Sequence, residues 1–257
     1  MTPRLRALSA AKIFAFPNYH ASASILWQGN FETGDTAQWH TSINPAGLSV
    51  TTECAFDGKQ SGKVRLTGDD AFLWNGNKFL NRSEFHHRGT AGMTYEGKDT
   101  FFAFSFYLPK KFTEHKHELG YWESDKSWQQ TLRFNITGSE LSFQESAAKE
   151  VLWKLPQGAA PGQWHRLAMH IHWSTDPKTG FAEIWVDGQH MGKHYFKNLP
   201  AKDALMFTQM GILRTQEQAI EEIFIDGALE TDNLTELLER DKHLVGKPCT
   251  TPKSQQN

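Results

Sequence analysis

The sequence predicts an all-β protein, an antiparallel β-sandwich of jelly-roll type with one short C-terminal helix. Three observations carry this. Apolar and polar residues alternate with a two-residue period, as where Phe102, Phe104, Phe106 and Leu108 interleave with Ala103, Ser105 and Tyr107. Turn sequences such as Asp57-Gly58, Gly138-Ser139, Asp176-Pro177-Lys178-Thr179-Gly180 and Asp187-Gly188 divide the chain at short intervals. A helical period occurs only at 233–243, with no βαβ rhythm anywhere, which leaves a sandwich of about a dozen strands whose sheets are large enough to curl around a concave face.

Taken in order, 25–31 reads as a strand and Phe31-Glu32-Thr33-Gly34-Asp35 as an acidic turn. Short strands at 48–52 and 63–66 flank the Asp57-Gly58 turn, and Gly68-Asp69-Asp70 breaks the chain again. The 100–108 segment is a core strand stopped by Pro109. Extended structure resumes at 117–124, and 129–135 sets Gln129, Thr131, Arg133 and Asn135 against Leu132, Phe134 and Ile136. Further strands are expected at 141–144, 164–173, 181–186, 206–213 and 222–225, followed by the helix with Asp232 as N-cap and Leu234, Leu237 and Leu238 on its buried side.

At 257 residues with net charge −2, the chain shows no basic footprint for nucleic acid and no apolar run of the ~20 residues a membrane helix needs. One domain at 25–246 is expected, followed by a 247–257 tail and preceded by a 1–24 leader, in which Arg4, Arg6 and Lys12 come before a short apolar run and Ala21-Ser22-Ala23. That leader implies a secreted or periplasmic protein, expected to be a monomer. Cys54 and Cys249 are the only cysteines; a disulfide tying the tail to the body and two separate thiols both fit. Nine Trp and eighteen Phe suit a sandwich core and the stacking of sugar rings alike.

Charge is written with the period of a strand at 81–88, Asn-Arg-Ser-Glu-Phe-His-His-Arg. Arg82, Glu84, His86 and Arg88 share one face and Ser83, Phe85 and His87 the other, as in a strand whose back packs on a core while its front floors a groove. A merely solvated strand face is the other reading. In the 117–124 strand Tyr121 and Glu123 share a face and Trp122 is out of phase with them, which assigns Trp122 to the core. Glu32 and Asp226 supply oxygen donors for a structural calcium ion, or simply acidic turns, and no other cofactor is required. No phosphate loop, nucleophile elbow or Cys/His pair appears, which excludes nucleotide and acyl-transfer chemistry.

Four motifs in order, Asn81-Arg82-Ser83-Glu84, the 104–109 run Phe-Ser-Phe-Tyr-Leu-Pro, the 180–188 run Gly-Phe-Ala-Glu-Ile-Trp-Val-Asp-Gly and Met210-Gly211-Ile212-Leu213-Arg214, resemble bacterial polysaccharide lyases of the heparin lyase I group. The resemblance implies a concanavalin-like jelly roll that binds an acidic polysaccharide across its concave sheet and cleaves it by β-elimination. Arg82 would neutralise the uronate carboxylate, Tyr121 or His86 would move protons, and Glu84 and Glu123 would position them. Arg88, Tyr107, Gln129, Arg133, Gln209 and Arg214 would line the substrate track. The chain departs from the group's Gln-Trp-His run, where it has Tyr121-Trp122-Glu123, and carries Gln209 and Leu213 where Lys and Tyr are usual. The 117–124 run is also similar to a fungal β-glucanase family, which implies hydrolysis with Glu84 and Glu123 as the carboxyl pair. A non-catalytic carbohydrate-binding protein is the third reading.

Overall fold

The computed structural model describes residues 24–74, 78–91, 93–145 and 149–249. The expected leader, apart from Ser24, and the last eight residues of the tail lie outside the described residues. Among the described residues sixteen strands follow one another: β1 (Ile25–Gly29), β2 (Thr41–Ile43), β3 (Leu48–Thr51), β4 (Ser61–Leu66), β5 (Ala71–Trp74), β6 (Lys78–Arg88), β7 (Asp99–Tyr107), β8 (Lys116–Ser124), β9 (Gln130–Thr137), β10 (Glu140–Glu145), β11 (Val151–Leu155), β12 (Trp164–His172), β13 (Phe181–Val186), β14 (Gln189–Tyr195), β15 (Met206–Thr215) and β16 (Glu221–Thr231). They form two sheets. The first runs β14-β13-β12-β7-β16-β4-β3 with β1 also on β16, and the second runs β11-β10-β9-β8-β15-β6-β2 with β5 also on β6. All pairings are antiparallel, so the predicted sandwich is the observed one.

The core lies between the sheets and follows the alternation in the sequence. Phe102, Phe104 and Phe106 of β7 and Leu167, Met169 and Ile171 of β12 meet Phe85 of β6, Trp122 of β8, Phe134 of β9 and Ile212 of β15. Trp122 is buried as its phase predicts, edge-on to Trp173 with ring centroids 5.4 Å apart and its indole N–H directed at Met169 Sδ. Removing such an aromatic ring would cost about 3–5 kcal/mol in lost transfer energy and cavity.

Local chemistry explains several boundaries. Asp187 and Gly188 both take positive φ, 52° and 80°, and close the two-residue β13–β14 hairpin that Asp-Gly favours. The helix, α1 (Leu234–Glu239), is shorter than 233–243 and is capped by Asn233 rather than Asp232; the Asn233 side chain accepts from the Glu236 N–H. It stops because Arg240 turns extended and Asp241 goes left-handed at φ 57°. Leu237 anchors it on Ala103, Ala168 and Leu229 on the outer face of the first sheet. Sequence reasoning missed β2, β5, β11 and β14, which are short or lie at sheet edges where no buried face imposes alternation. Cys54 and Cys249 are joined in a disulfide. The tail also pairs with the start of β12 through Gly246 N to Trp164 O and Trp164 N to Lys247 O.

Candidate active site

The strand predicted to organise the chain does so. On β6 Phe85 faces the core, and His87 turns inward to Glu230 of the opposite sheet at 3.0 Å. Arg82, Glu84, His86 and Arg88 stand on the outer face, opposite Leu213, Gly211, Gln209 and Phe207 of β15. Register then carries one row across five strands: His86, Gln209, Tyr121, Arg133 and Gln144. A neighbouring row holds Arg88, Phe207, Glu123 and Gln130.

A buried hydrogen-bonded network sits where these rows meet. Arg82 donates from Nε to Glu84 Oε2 (2.7 Å) and from Nη2 to Tyr121 Oη (2.8 Å) and Gln209 Oε1 (2.9 Å). Gln209 Nε2 in turn donates to Glu123 Oε2 (2.9 Å). Space for the Arg82–Glu84 pair comes from Gly211, whose added Cβ would meet Ser83 O at 2.2 Å and Glu84 Cγ at 3.2 Å.

Burial and mutual charge set the protonation states. Burial opposes the charge on Arg82, but Glu84, Tyr121 and Glu123 around it more than reverse this and raise its pKa. Burial pushes the Glu84 carboxyl up against the pull of Arg82. The Tyr121 phenol is held well above its ordinary range, first by burial and then by Glu84. Glu123 is pushed up to about 7 by burial, with Arg82 pulling it down and Glu84 and Glu118 pushing further. His86 falls to about 4, chiefly from burial and then from the charges of His40 and Arg88, so it is neutral at physiological pH.

Above the network lies a cleft of about 350 Å³ lined by Arg82, Tyr121, Glu123, Gln129, Arg133 and other residues of β8, β9 and β15. A second cleft of about 570 Å³ adjoins it, and the two share Leu80, Glu118, Arg133, Lys149 and Leu213. Arg133 is held in this common wall by Glu118 Oε1 (2.8 Å) and by Gln130 and Gln144.

The expected site residues divide accordingly. Arg82, Tyr121, Glu123 and Gln209 form the network; Gln129 and Arg133 line the cleft. Glu84 stands beneath the floor, 1% exposed and paired to Arg82, so the Glu84–Glu123 pair does not face a substrate. His86 neighbours Gln209 with its ring 4.6 Å from Phe207, and Arg88 is exposed at the end of β6; neither is part of the cleft wall. Tyr107 requires a correction. Its place in β7 turns it to the outer face of the other sheet, against Trp164 and Phe224, because it is out of phase with the core-facing phenylalanines. Arg214 lines the second cleft, but its guanidinium is buried and donates to Glu217 (3.0 Å) and Glu221 (2.7 Å). Those carboxylates and His117 are the one cluster of metal-like spacing among the described residues, and Arg214 already neutralises it.

Glu32 and Asp226 converge on one turn. Glu32 accepts from the Lys59 and Gln60 N–H groups and Asp226 from those of Phe56, Asp57 and Gly227. Burial, then the charge of Glu32, hold Asp226 well above the carboxylate range, against its backbone hydrogen bonds. Two acids in mutual repulsion with only peptide donors are a donor set that suits a hard cation.

Sequence reasoning missed Glu118, Gln130, Trp128 and Lys149. Register shifts between Glu118 and Gly120 send Leu119 into the core and bring Glu118 round to the side of Tyr121, which strict alternation would not do.

A guanidinium, a phenol and a carboxyl of raised pKa thus share a cleft across one sheet of a β-sandwich. Residues 31–228 match the family described as polysaccharide lyase, and the chain belongs to that family. A search of curated proteins finds no match. Among solved structures the chain is similar to an endo-β-1,4-glucuronan lyase from the fungus Trichoderma reesei, with TM-score 0.67 and 17% identity over 83% of this chain and 98% of that one. It is also similar to the catalytic domain of a GH131 β-glucanase from Podospora anserina, with TM-score 0.56 and 14% identity over 82% and 96%. An alginate lyase of polysaccharide lyase family 7 aligns with TM-score 0.51 and 12% identity over 72% and 82%. At these identities the likenesses show the fold.

Proposed function

We propose that this polysaccharide-degrading enzyme is a lyase that cleaves a uronate-containing polysaccharide by β-elimination. One observation carries the reading: Gln209 and Arg82 connect a carboxyl with a pKa of about 7 to a phenol held above its ordinary range, and all but Gln209 line one cleft. Arg82 meets the uronate carboxylate and disperses the charge that grows as C5 loses its proton. Glu123 takes that proton. The C4–O bond breaks with its electron pair on the leaving oxygen, Tyr121 Oη protonates that oxygen, and a C4–C5 double bond conjugated with the carboxylate remains. Glu123 then gives up its proton to solvent, and solvent reprotonates Tyr121. A glucuronan lyase and an alginate lyase among the similar structures support a uronate substrate.

The test is a panel of uronic-acid polymers and neutral glucans, scored for ultraviolet absorbance and for reducing ends. A uronan should raise both signals together. Reducing ends without absorbance would overturn elimination in favour of the second reading, hydrolysis, which one observation favours: Glu118 and Glu123 both line the cleft. In that reading Glu123 is the acid and Glu118, ion-paired with Arg133 at 2.8 Å, the base or nucleophile.

Calcium stays outside the chemistry in this proposal. Glu32 and Asp226 would hold it and it would compensate their charge. The Cys54–Cys249 disulfide supports an oxidising compartment outside the cytoplasm.

A further inference from the structure

Trp128 is the most exposed large hydrophobic side chain among the described residues, at 64%. Its backbone has a φ of 52°, in the left-handed region that bulky residues avoid. Neither property helps the fold. Yet the β8–β9 turn that carries it is firmly held: Trp128 N donates to Ser124 O (2.8 Å), Asp125 exchanges two hydrogen bonds with Leu205, and Lys126 pairs with Asp203 (3.1 Å). The indole meets the Phe207 ring edge-on, with centroids 5.9 Å apart, and Phe207 stands directly opposite Glu123 in register. Trp128 is therefore a fixed indole in the cleft wall, at the end where Glu123 lies.

We infer that Trp128 is a stacking platform for a hexopyranosyl unit of the bound polysaccharide, its indole covering the apolar C–H face of the sugar. The inference rests on reading the cleft as a polysaccharide groove and is indifferent to whether the bond is eliminated or hydrolysed. An amphipathic pyranose is the ligand that suits it, because a polar rim beside an apolar ring matches the two kinds of surface a sugar presents. Gln129 and Gln130 follow directly in the same wall and supply hydrogen bonds to hydroxyl groups.

The experiment uses the full chain with Glu123→Gln, which removes the group that moves a proton in either reading and so should bind without turnover. Hexasaccharides of β-1,4-linked glucuronic acid, of alginate and of cellulose are titrated while tryptophan fluorescence is followed, with and without a further Trp128→Phe or Trp128→Ala change. Binding should quench or shift the emission, and both changes should remove that signal while the other eight tryptophans stay. Affinity should fall roughly tenfold in Trp128→Ala and by no more than about threefold in Trp128→Phe, which keeps a ring. In the active enzyme Trp128→Ala should raise KM with little change in kcat, at an unchanged melting temperature. Equal affinity with and without Trp128 would overturn the platform and leave the groove reading intact. Failure of all three saccharides to bind would overturn both.

Discussion

Glu123 shows how one side chain's surroundings tie activity to stability. As the proposed base, Glu123 must be charged, so kcat/KM should rise as pH passes through about 7, and Glu123→Gln should abolish that limb together with turnover. Stability runs the other way. The folded pKa is raised, so the stabilisation from the neutral acid is fully present below the unfolded value of about 4.5 and is lost as pH rises through about 7, a change of roughly 3 kcal/mol. Glu123→Gln escapes this loss and keeps an acceptor for the Gln209 N–H. Its melting temperature should therefore exceed that of the parent protein at pH 8 and approach it at pH 5; an equal offset at both values would show that Glu123 is not held near 7.

Strand β15 is the element on which the site depends. It lies between β6 and β8 and changes register against β8 between Met210 and Leu213 while keeping step with β6. Gly211 is in that interval, and its missing side chain lets β6 approach and leaves room for the Arg82–Glu84 pair. Gly211→Ala should destabilise the protein by about 1–3 kcal/mol or more, since the clash is with backbone that cannot swing aside, and should reduce kcat by displacing Arg82. Thermal melts and initial rates check both effects. The contrast between β6 and β8 marks how far a sequence can be read. In β6 unbroken alternation made Arg82, Glu84 and His86 legible as one face, and Trp122 was legible from its phase. Glu118 was not, because a bulge resets the phase of β8 there, and its one sign in the sequence, Gly120 inside the strand, does not say which residues change face. Tyr107 failed for another reason, and the acidic partners of Arg214 were hidden by the same one: alternation tells which residues share a face, not which sheet owns it or whether a guanidinium already has acidic partners. The carboxyl pair failed likewise, since the burial of Glu84 under Arg82 arises only from the meeting of three strands.

At the scale of the molecule, one feature outside the cleft ties the tail to the first sheet and its loops, and the proposed calcium site would be a second. The Cys54–Cys249 disulfide spans 195 residues, and Cys249→Ser should lower stability by about 2–5 kcal/mol, a fall in melting temperature of roughly 5–20 °C, with kcat preserved. Chelation with EGTA should lower the melting temperature and readded calcium restore it, with the initial rate at 25 °C unaffected, because Glu32 and Asp226 lie at the 56–60 turn and not in the cleft. An unchanged melt would remove calcium from the protein.

The residues assigned to catalysis stand on β6, β8 and β15, adjacent strands whose inner faces are the hydrophobic core itself. Among the described residues no separate lobe carries the chemistry, so the cleft has no way to melt by itself. Loss of activity on heating should superimpose on loss of ellipticity in a single cooperative transition, and a rate that decays several degrees before the circular dichroism signal would contradict this.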